Sequence, residues 1–178
     1  MTKKNSTLSL VMIALFTALT ILGTMIKIPL PTGAFAHLGN AVLLLAVLLL
    51  GYFRGALAGG LGFAIFDLMN GFAAEAPYFI FESFIVGGAA ALAMLAFKNE
   101  IDTFPKLMAV AASAGVMKII MTQLKNTTLA MIAGSSFQLA FAAALSMLVA
   151  TVINVITTVL IVTLVYFPLK RAMKIILR

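Results

Sequence analysis

Cysteine is absent from the 178 residues, histidine occurs once, and acidic residues number five. The first absence excludes disulfides, thiolate-bound metals and a cysteine nucleophile, and leaves the redox compartment open. One histidine and five acids are too few to make a multi-ligand metal cluster a natural reading, so no metal or cofactor is expected. Charged residues make up only 10% of the chain against 63% hydrophobic. A water-soluble domain of this size needs a far more polar surface. What the chain has instead is apolar sequence. Residues 8–26 read LSLVMIALFTALTILGTMI, nineteen positions without a charge, and the pattern recurs. The composition predicts a multi-pass protein of the cell membrane, with lipid around it.

The net charge of +7 does not point to nucleic acid. The basic residues are scattered or sit at the ends of apolar segments, with no basic face interleaved with aromatics. A bilayer protein is basic at its cytoplasmic loops for topological reasons. Residues 8–26 follow Lys3 and Lys4 as a signal peptide would, but no small-residue cleavage site is evident and further apolar segments follow. The segment is read as retained.

Punctuation divides the chain into six apolar segments. The first runs from Leu8 to Ile26, followed by a loop from Lys27 to Ala36 with Pro29, Pro31 and Gly33. The second runs from His37 to Leu50 and the third from Gly55 to Met69, joined by a tight turn at Gly51 to Arg54. After a loop holding Glu75, the fourth spans Tyr78 to Phe97. A polar stretch from Lys98 to Lys106 leads to the fifth, Leu107 to Leu124. Lys125 to Ser136 reads as a semi-polar connection, and the sixth runs from Phe137 to Phe167. A spanning helix needs roughly 20 residues, and segments two and three offer only about 15 each. The expected fold is an all-α membrane bundle of six transmembrane helices, a single integral membrane domain over residues 1–178. Lys3, Lys4, Arg54, Lys98, Lys106, Lys170, Arg171, Lys174 and Arg178 fall on one side of such a bundle. Lys27, Lys118 and Lys125 fall on the other, which puts both termini in the cytoplasm.

Helices in lipid pack closely where small residues let backbones approach. Ala14 and Ala18 are four apart on the first segment and share a face. Gly51, Gly55 and Gly59 repeat the spacing, as do Gly87 with Ala91, and Ala142 with Ser146 and Ala150. Such stripes serve packing within a bundle or docking of another membrane protein, and spacing alone does not choose.

Ionisable groups inside a membrane are costly and commonly line a cavity or pair with one another. Here they are few. His37 and Asn40 open segment two, Asp67 and Asn70 sit three apart near the end of segment three, and Glu82 lies one turn into segment four. Lys118 lies in segment five, with Thr122 four residues on, and Asn154 sits deep in segment six. In the six-helix topology His37, Asn40, Asp67, Asn70, Tyr78, Glu82 and Lys118 all belong to the outer half. Phe35, Phe66, Phe72, Phe79 and Phe81 accompany them. Polar groups among aromatic walls are what a small-molecule pocket requires. The competing readings are structural: Asp67 or Glu82 pairs with Lys118, His37 caps a helix, and Tyr78 anchors at the interface.

Catalytic patterns are missing. GALAGGLG, residues 55–62, lacks the Lys-Ser/Thr ending of a phosphate loop and sits within an apolar helix. No HExxH or GxSxG occurs. The chain is not expected to be an enzyme, and uphill transport would draw its energy from a partner or an ion gradient.

On these residues the chain resembles the substrate-binding S components of energy-coupling-factor vitamin transporters. The likeness covers the whole chain. It rests on Ala14-x-x-x-Ala18 in the first helix, on the six-segment plan, and on FAHLGNAVLLLAVLLLGYFRGALAGGLGFAIFDLMNG, residues 35–71. In that stretch HLGN opens the second helix, similar to the riboflavin-type and related branch. The resemblance implies an S-component-like bundle that binds a vitamin from outside under a lid of outer loops. It then topples in the membrane to deliver the vitamin, driven by a transmembrane coupling protein and two ATPase subunits. Ala14 and Ala18 would dock on the coupling protein. The substrate it implies is pyridoxine or the hydroxymethylpyrimidine precursor of thiamin, with pantothenate and riboflavin as alternatives. Readings from other classes are a ligand-free assembly subunit, an autonomous secondary carrier and, last, a membrane enzyme.

Overall fold

A computed structural model describes residues 3–29 and 35–176. Helix α1, Lys3–Met25, is continuous because no Pro or charge interrupts residues 5–26. A two-stranded antiparallel hairpin follows, β1 (Lys27–Pro29) against β2 (Phe35–His37), in the register Lys27 with His37 and Pro29 with Phe35. The centre of the lid expected between Lys27 and Ala36, including Pro31 and Gly33, lies outside the described residues. His37 therefore belongs to a strand, and the second helix begins two residues later than its apolar pattern proposed.

Helix α2 (Gly39–Leu50) is only 12 residues long. At 1.5 Å per residue it rises about 18 Å, short of a hydrocarbon core of about 30 Å. It survives because protein surrounds it. Leu43, Leu44, Ala46 and Val47 are buried at the centre of the apolar core, and α2 packs against α1, α3, α4 and α7. Gly51 ends it with φ +86°, a conformation that L side chains rarely adopt. Helix α3 (Tyr52–Asn70) then folds back along α2. A Cβ on Gly55 would lie 2.3 Å from the Val47 backbone nitrogen, so glycine is what permits this approach. Of the three glycines sharing that spacing, Gly55 and Gly59 pack against α2, whereas Gly51 faces open space and serves the turn.

Gly71, left-handed at φ +84°, closes α3. A single 3₁₀ turn at Ala73–Glu75 leads into α4 (Ala76–Ala96), which carries Pro77 in its first turn, where the missing N–H costs nothing. Helix α5 (Phe104–Ile132) likewise starts with Pro105. It does not stop at Leu124 as its polarity suggested. No glycine or proline occurs from there until Gly134, and Lys125 and Thr127 find partners in Glu75 and Gln123, so the helix runs on through the expected connection. The sixth segment is in turn divided at Met147 into α6 (Phe137–Ser146) and α7 (Leu148–Ile176). Neither Gly nor Pro marks that break. Ala142 and Ser146 are exposed on α6 and Ala150 is buried on α7, so the proposed small-residue stripe is not one face.

The chain is thus all-α apart from the hairpin. Among the described residues four helices are long and apolar enough to cross a bilayer: Ser6–Met25, Ala73–Ala96, Phe104–Ile132 and Leu148–Lys174. Their outward positions are large and apolar, for example Leu10, Leu92, Ile132 and Leu164, as a lipid-facing surface requires. Charged residues gather at both ends. At the end away from the hairpin Lys106 pairs with Asp102 at 2.8 Å, and the Lys170 ammonium donates to the Ile101 carbonyl at 3.1 Å.

Candidate functional site

At the hairpin end the helices part around an open cavity of about 520 Å³. Helical periodicity supplies its walls. Tyr78 and Glu82 are four apart on α4, Lys118, Thr122 and Lys125 follow one face of α5, and Thr151 and Asn154 are three apart on α7. Strand β2 contributes Phe35 and His37, α2 contributes Asn40, and the last turns of α3 contribute Asp67. Phe72, Tyr78 and Phe79 add aromatic surface.

The charges are arranged in pairs. Glu82, 3% exposed, binds the Lys118 ammonium. The Tyr78 hydroxyl donates to Glu82 Oε1 at 2.8 Å and lies 3.1 Å from the Met121 carbonyl. Lys125 Nζ meets Glu75 Oε2 at 2.5 Å and stands over the rings of Tyr78 and Phe79, 5.0 and 5.1 Å from their centroids. Both pairs tie α5 to α4 or to the turn before it. Burying charge is costly unless it is matched and hydrogen-bonded, and Glu82 meets both conditions.

His37, in the hairpin outside the spanning helices, is neutral. Burial, and then the Lys118 charge, push its pKa down to about 3. Its Nδ1 accepts the Gly39 N–H at 3.2 Å, so the proton sits on Nε2. The ring packs edge-on against Phe63, with centroids 5.9 Å apart. Asn154 fixes the hairpin from the other side. Its side-chain oxygen accepts the His37 N–H at 2.8 Å and its amide donates to the Phe35 carbonyl at 3.1 Å.

Two buried polar atoms on this wall, Asn40 Nδ2 and Asp67 Oδ2, have no hydrogen-bond partner among the described residues. Below Asn40 and Lys118, which it shares with the main cavity, a small apolar void of about 20 Å³ extends between α2, α4, α5 and α7.

Of the seven residues proposed from sequence, His37, Asn40, Asp67, Tyr78, Glu82 and Lys118 line this one cavity. Asn70 does not. It is exposed, and its amide donates to the Phe66 carbonyl one turn back at 2.8 Å. Phe66 lies behind the wall against Phe35, at 6.3 Å between centroids, and Phe81 points outward, 58% exposed. The sequence reading missed Glu75, Lys125, Thr151 and Asn154. The first two read as loop residues. The spacing of Lys118, Thr122 and Lys125 reveals one helical face only once α5 is extended past Leu124. Asn154 reads as mid-membrane while α6 and α7 count as one helix. Counted from Leu148, it lies in the second turn of α7, level with the hairpin. Ala14 and Ala18 lie together on an exposed face of α1, beside Leu10, Val11, Leu15 and Leu22.

A mixed polar and aromatic cavity at one end of a multi-helix membrane protein suits the binding of a small molecule. The chain matches the family model described as ECF-type riboflavin transporter, S component, over residues 4–171, and it belongs to that family. No curated protein and no solved structure matches it. Membership makes the protein a membrane-embedded, substrate-binding component of an ECF transporter, a transport subunit in kind rather than an enzyme.

Proposed function

We propose that this chain captures one vitamin in the cavity at the hairpin end and delivers it to a transmembrane coupling protein powered by two ATPase subunits. The observation that carries the reading is convergence. Scarce polar side chains from β2, α2, α3, α4, α5 and α7 meet at one void, although each lies on an otherwise apolar element. In this reading six segments cross the plasma membrane, with α2 shielded by its neighbours, α6 and α7 together forming the sixth, and both termini cytoplasmic. The cavity then opens outward. Ala14 and Ala18, small and uncovered, are the docking face for the coupling protein.

The substrate favoured is a small heteroaromatic ring bearing hydroxymethyl groups, pyridoxine or hydroxymethylpyrimidine. Tyr78, Phe79 and Phe35 supply flat surfaces, and His37 Nε2–H, Asn40 and Asp67 supply donors and acceptors for ring nitrogens and hydroxyls. Pantothenate fits poorly. Both lysines on the wall are already matched by glutamates, leaving no spare cation for a carboxylate. Riboflavin is the second reading, favoured by the volume. About 520 Å³ lies within the range of pockets for drug-sized ligands, so a three-ring flavin is not too large.

The test is mass spectrometry of the small molecule retained by purified protein, followed by calorimetric titration with pyridoxine, hydroxymethylpyrimidine, riboflavin and pantothenate. Tight binding of one vitamin and co-purification with a coupling protein and ATPases are expected. Proton- or sodium-driven uptake by the chain alone would instead make it an autonomous carrier. Function indifferent to replacing Asp67, Glu82 and Lys118 with apolar residues would make it an assembly subunit.

A further inference from the structure

The charges on the cavity wall do not cancel. Asp67, Glu75 and Glu82 face two cations, Lys118 and Lys125, and each cation is held by a glutamate. Asp67 is the carboxylate left over. It is 5% exposed, and among the described residues its Oδ2 has no hydrogen-bond partner. Among the described residues no lysine or arginine forms an ion pair with it. Lys27, in β1, lies over the rings of Phe35 and Phe66, 5.0 and 5.6 Å from their centroids. A carboxylate buried without donors is an expensive arrangement that a ligand can relieve.

We infer that Asp67 selects the ligand by the proton on its ring nitrogen: the cavity takes a heteroaromatic ring that presents a ring N–H bearing positive charge, a pyridinium or a protonated aminopyrimidine. This rests on the vitamin-binding reading above and narrows it. The ring N⁺–H donates to Asp67 Oδ2, the oxygen left without a partner among the described residues. The pair is charge-assisted, so it is stronger than a neutral contact, and the ligand supplies the cation that the wall lacks. A flavin is disfavoured at this carboxylate. Its imide N–H stands between two carbonyl oxygens, both of which Asp67 repels. The matched pairs Glu82–Lys118 and Glu75–Lys125 serve the same selection, since each lysine is held at its glutamate and acts on Asp67 only from a distance.

The experiment is titration calorimetry on the full chain in detergent, with two ligand pairs and riboflavin. One pair is 4-amino-5-hydroxymethyl-2-methylpyrimidine and its 4-oxo counterpart. The other is pyridoxine and its benzene isostere, in which C–H replaces the ring nitrogen. The wild type is expected to bind at least one nitrogen-protonated member about tenfold or more tighter than its counterpart. Asp67→Asn, which keeps size and one acceptor but removes the charge, is expected to erase that preference. Should the variant fail to fold, the wild-type preference decides alone. Equal affinity within both pairs, or an unchanged preference in Asp67→Asn, overturns the inference. So does selective binding of riboflavin, which leaves the vitamin-binding reading standing. Absence of binding by any of the five compounds overturns that reading, and this inference with it.

Discussion

Asn154 holds the backbone N–H of His37 through its side-chain oxygen at 2.8 Å, joining residues 117 positions apart. Through its amide it also holds the Phe35 carbonyl, so one side chain satisfies both ends of β2. A two-stranded hairpin is marginal by itself. Strand β2 keeps its place over the cavity because α7 supplies the partner that a third strand would otherwise provide. Asn154 is 6% exposed and meets both backbone groups directly.

Asn154→Ala is therefore expected to leave two backbone groups unpaired. The loss is about 1–3 kcal/mol, read as a lowered thermal midpoint in detergent. Ligand affinity falls with it, because Phe35 and His37 line the cavity. Asn154→Leu, which refills the space without restoring the bonds, should recover little. An unchanged midpoint and affinity in both variants would remove Asn154 from this role.

Lys118 and Glu82 make the second linkage. Lys118→Met strands Glu82 in a buried position, which costs about 3–5 kcal/mol. The double variant Lys118→Met with Glu82→Leu removes the stranded charge, so it is expected to be more stable than the single one. It should still bind ligand poorly. Stability and binding separate here because an apolar pair packs as well as an ion pair but offers the ligand nothing polar. A double variant no more stable than Lys118→Met would show that the stranded carboxylate is not what destabilises the single one.

Gly55→Ala tests the approach of α2 and α3. The added methyl meets the Val47 backbone rather than a movable side chain, so the helices must separate. A loss of about 1–3 kcal/mol is expected. Gly51→Ala meets open space but puts a side chain at φ +86°, ψ 168°, a region nearly reserved for glycine, at about 1–3 kcal/mol. Side-chain size separates the two: Gly55→Leu should lower the midpoint well beyond Gly55→Ala, whereas Gly51→Leu should match Gly51→Ala, and no further fall at Gly55 would argue against close packing at that point.

Ala14→Leu combined with Ala18→Leu probes the uncovered face of α1. Both side chains are exposed and lie apart from the cavity, so ligand binding should hold within about twofold of wild type. Recovery of the coupling protein and ATPases on co-purification should drop, because leucine blocks close approach. Loss of binding together with assembly would show that the substitutions act on the fold.

The long helices were legible because their signal is local. α1, α4 and the start of α5 follow from long apolar runs in which charge is rare, with Pro77 and Pro105 lying just before the expected segments and inside the first turns of the helices. Gly51 and Gly71 mark turns that only glycine adopts easily. The limits of α5 and α6 were not legible. Lys125 reads as a loop residue until Glu75 and the rings of Tyr78 and Phe79 are seen to receive it. Met147 reads as mid-helix because no residue type there forbids continuation.

The same division holds for the site. Composition alone made this a protein of the bilayer and made each buried polar residue conspicuous, since lipid tolerates so few. It could not say which of them converge. Asn70 looks equivalent to Asp67 in sequence, yet one faces outward and bonds its own helix while the other faces the cavity with an oxygen to spare. That difference depends on the rotation of α3 about its axis, set by glycine contacts with α2 and by the hairpin across its end. A one-dimensional pattern records which side chains are polar. Only packed helices decide which way they point and what they are left without.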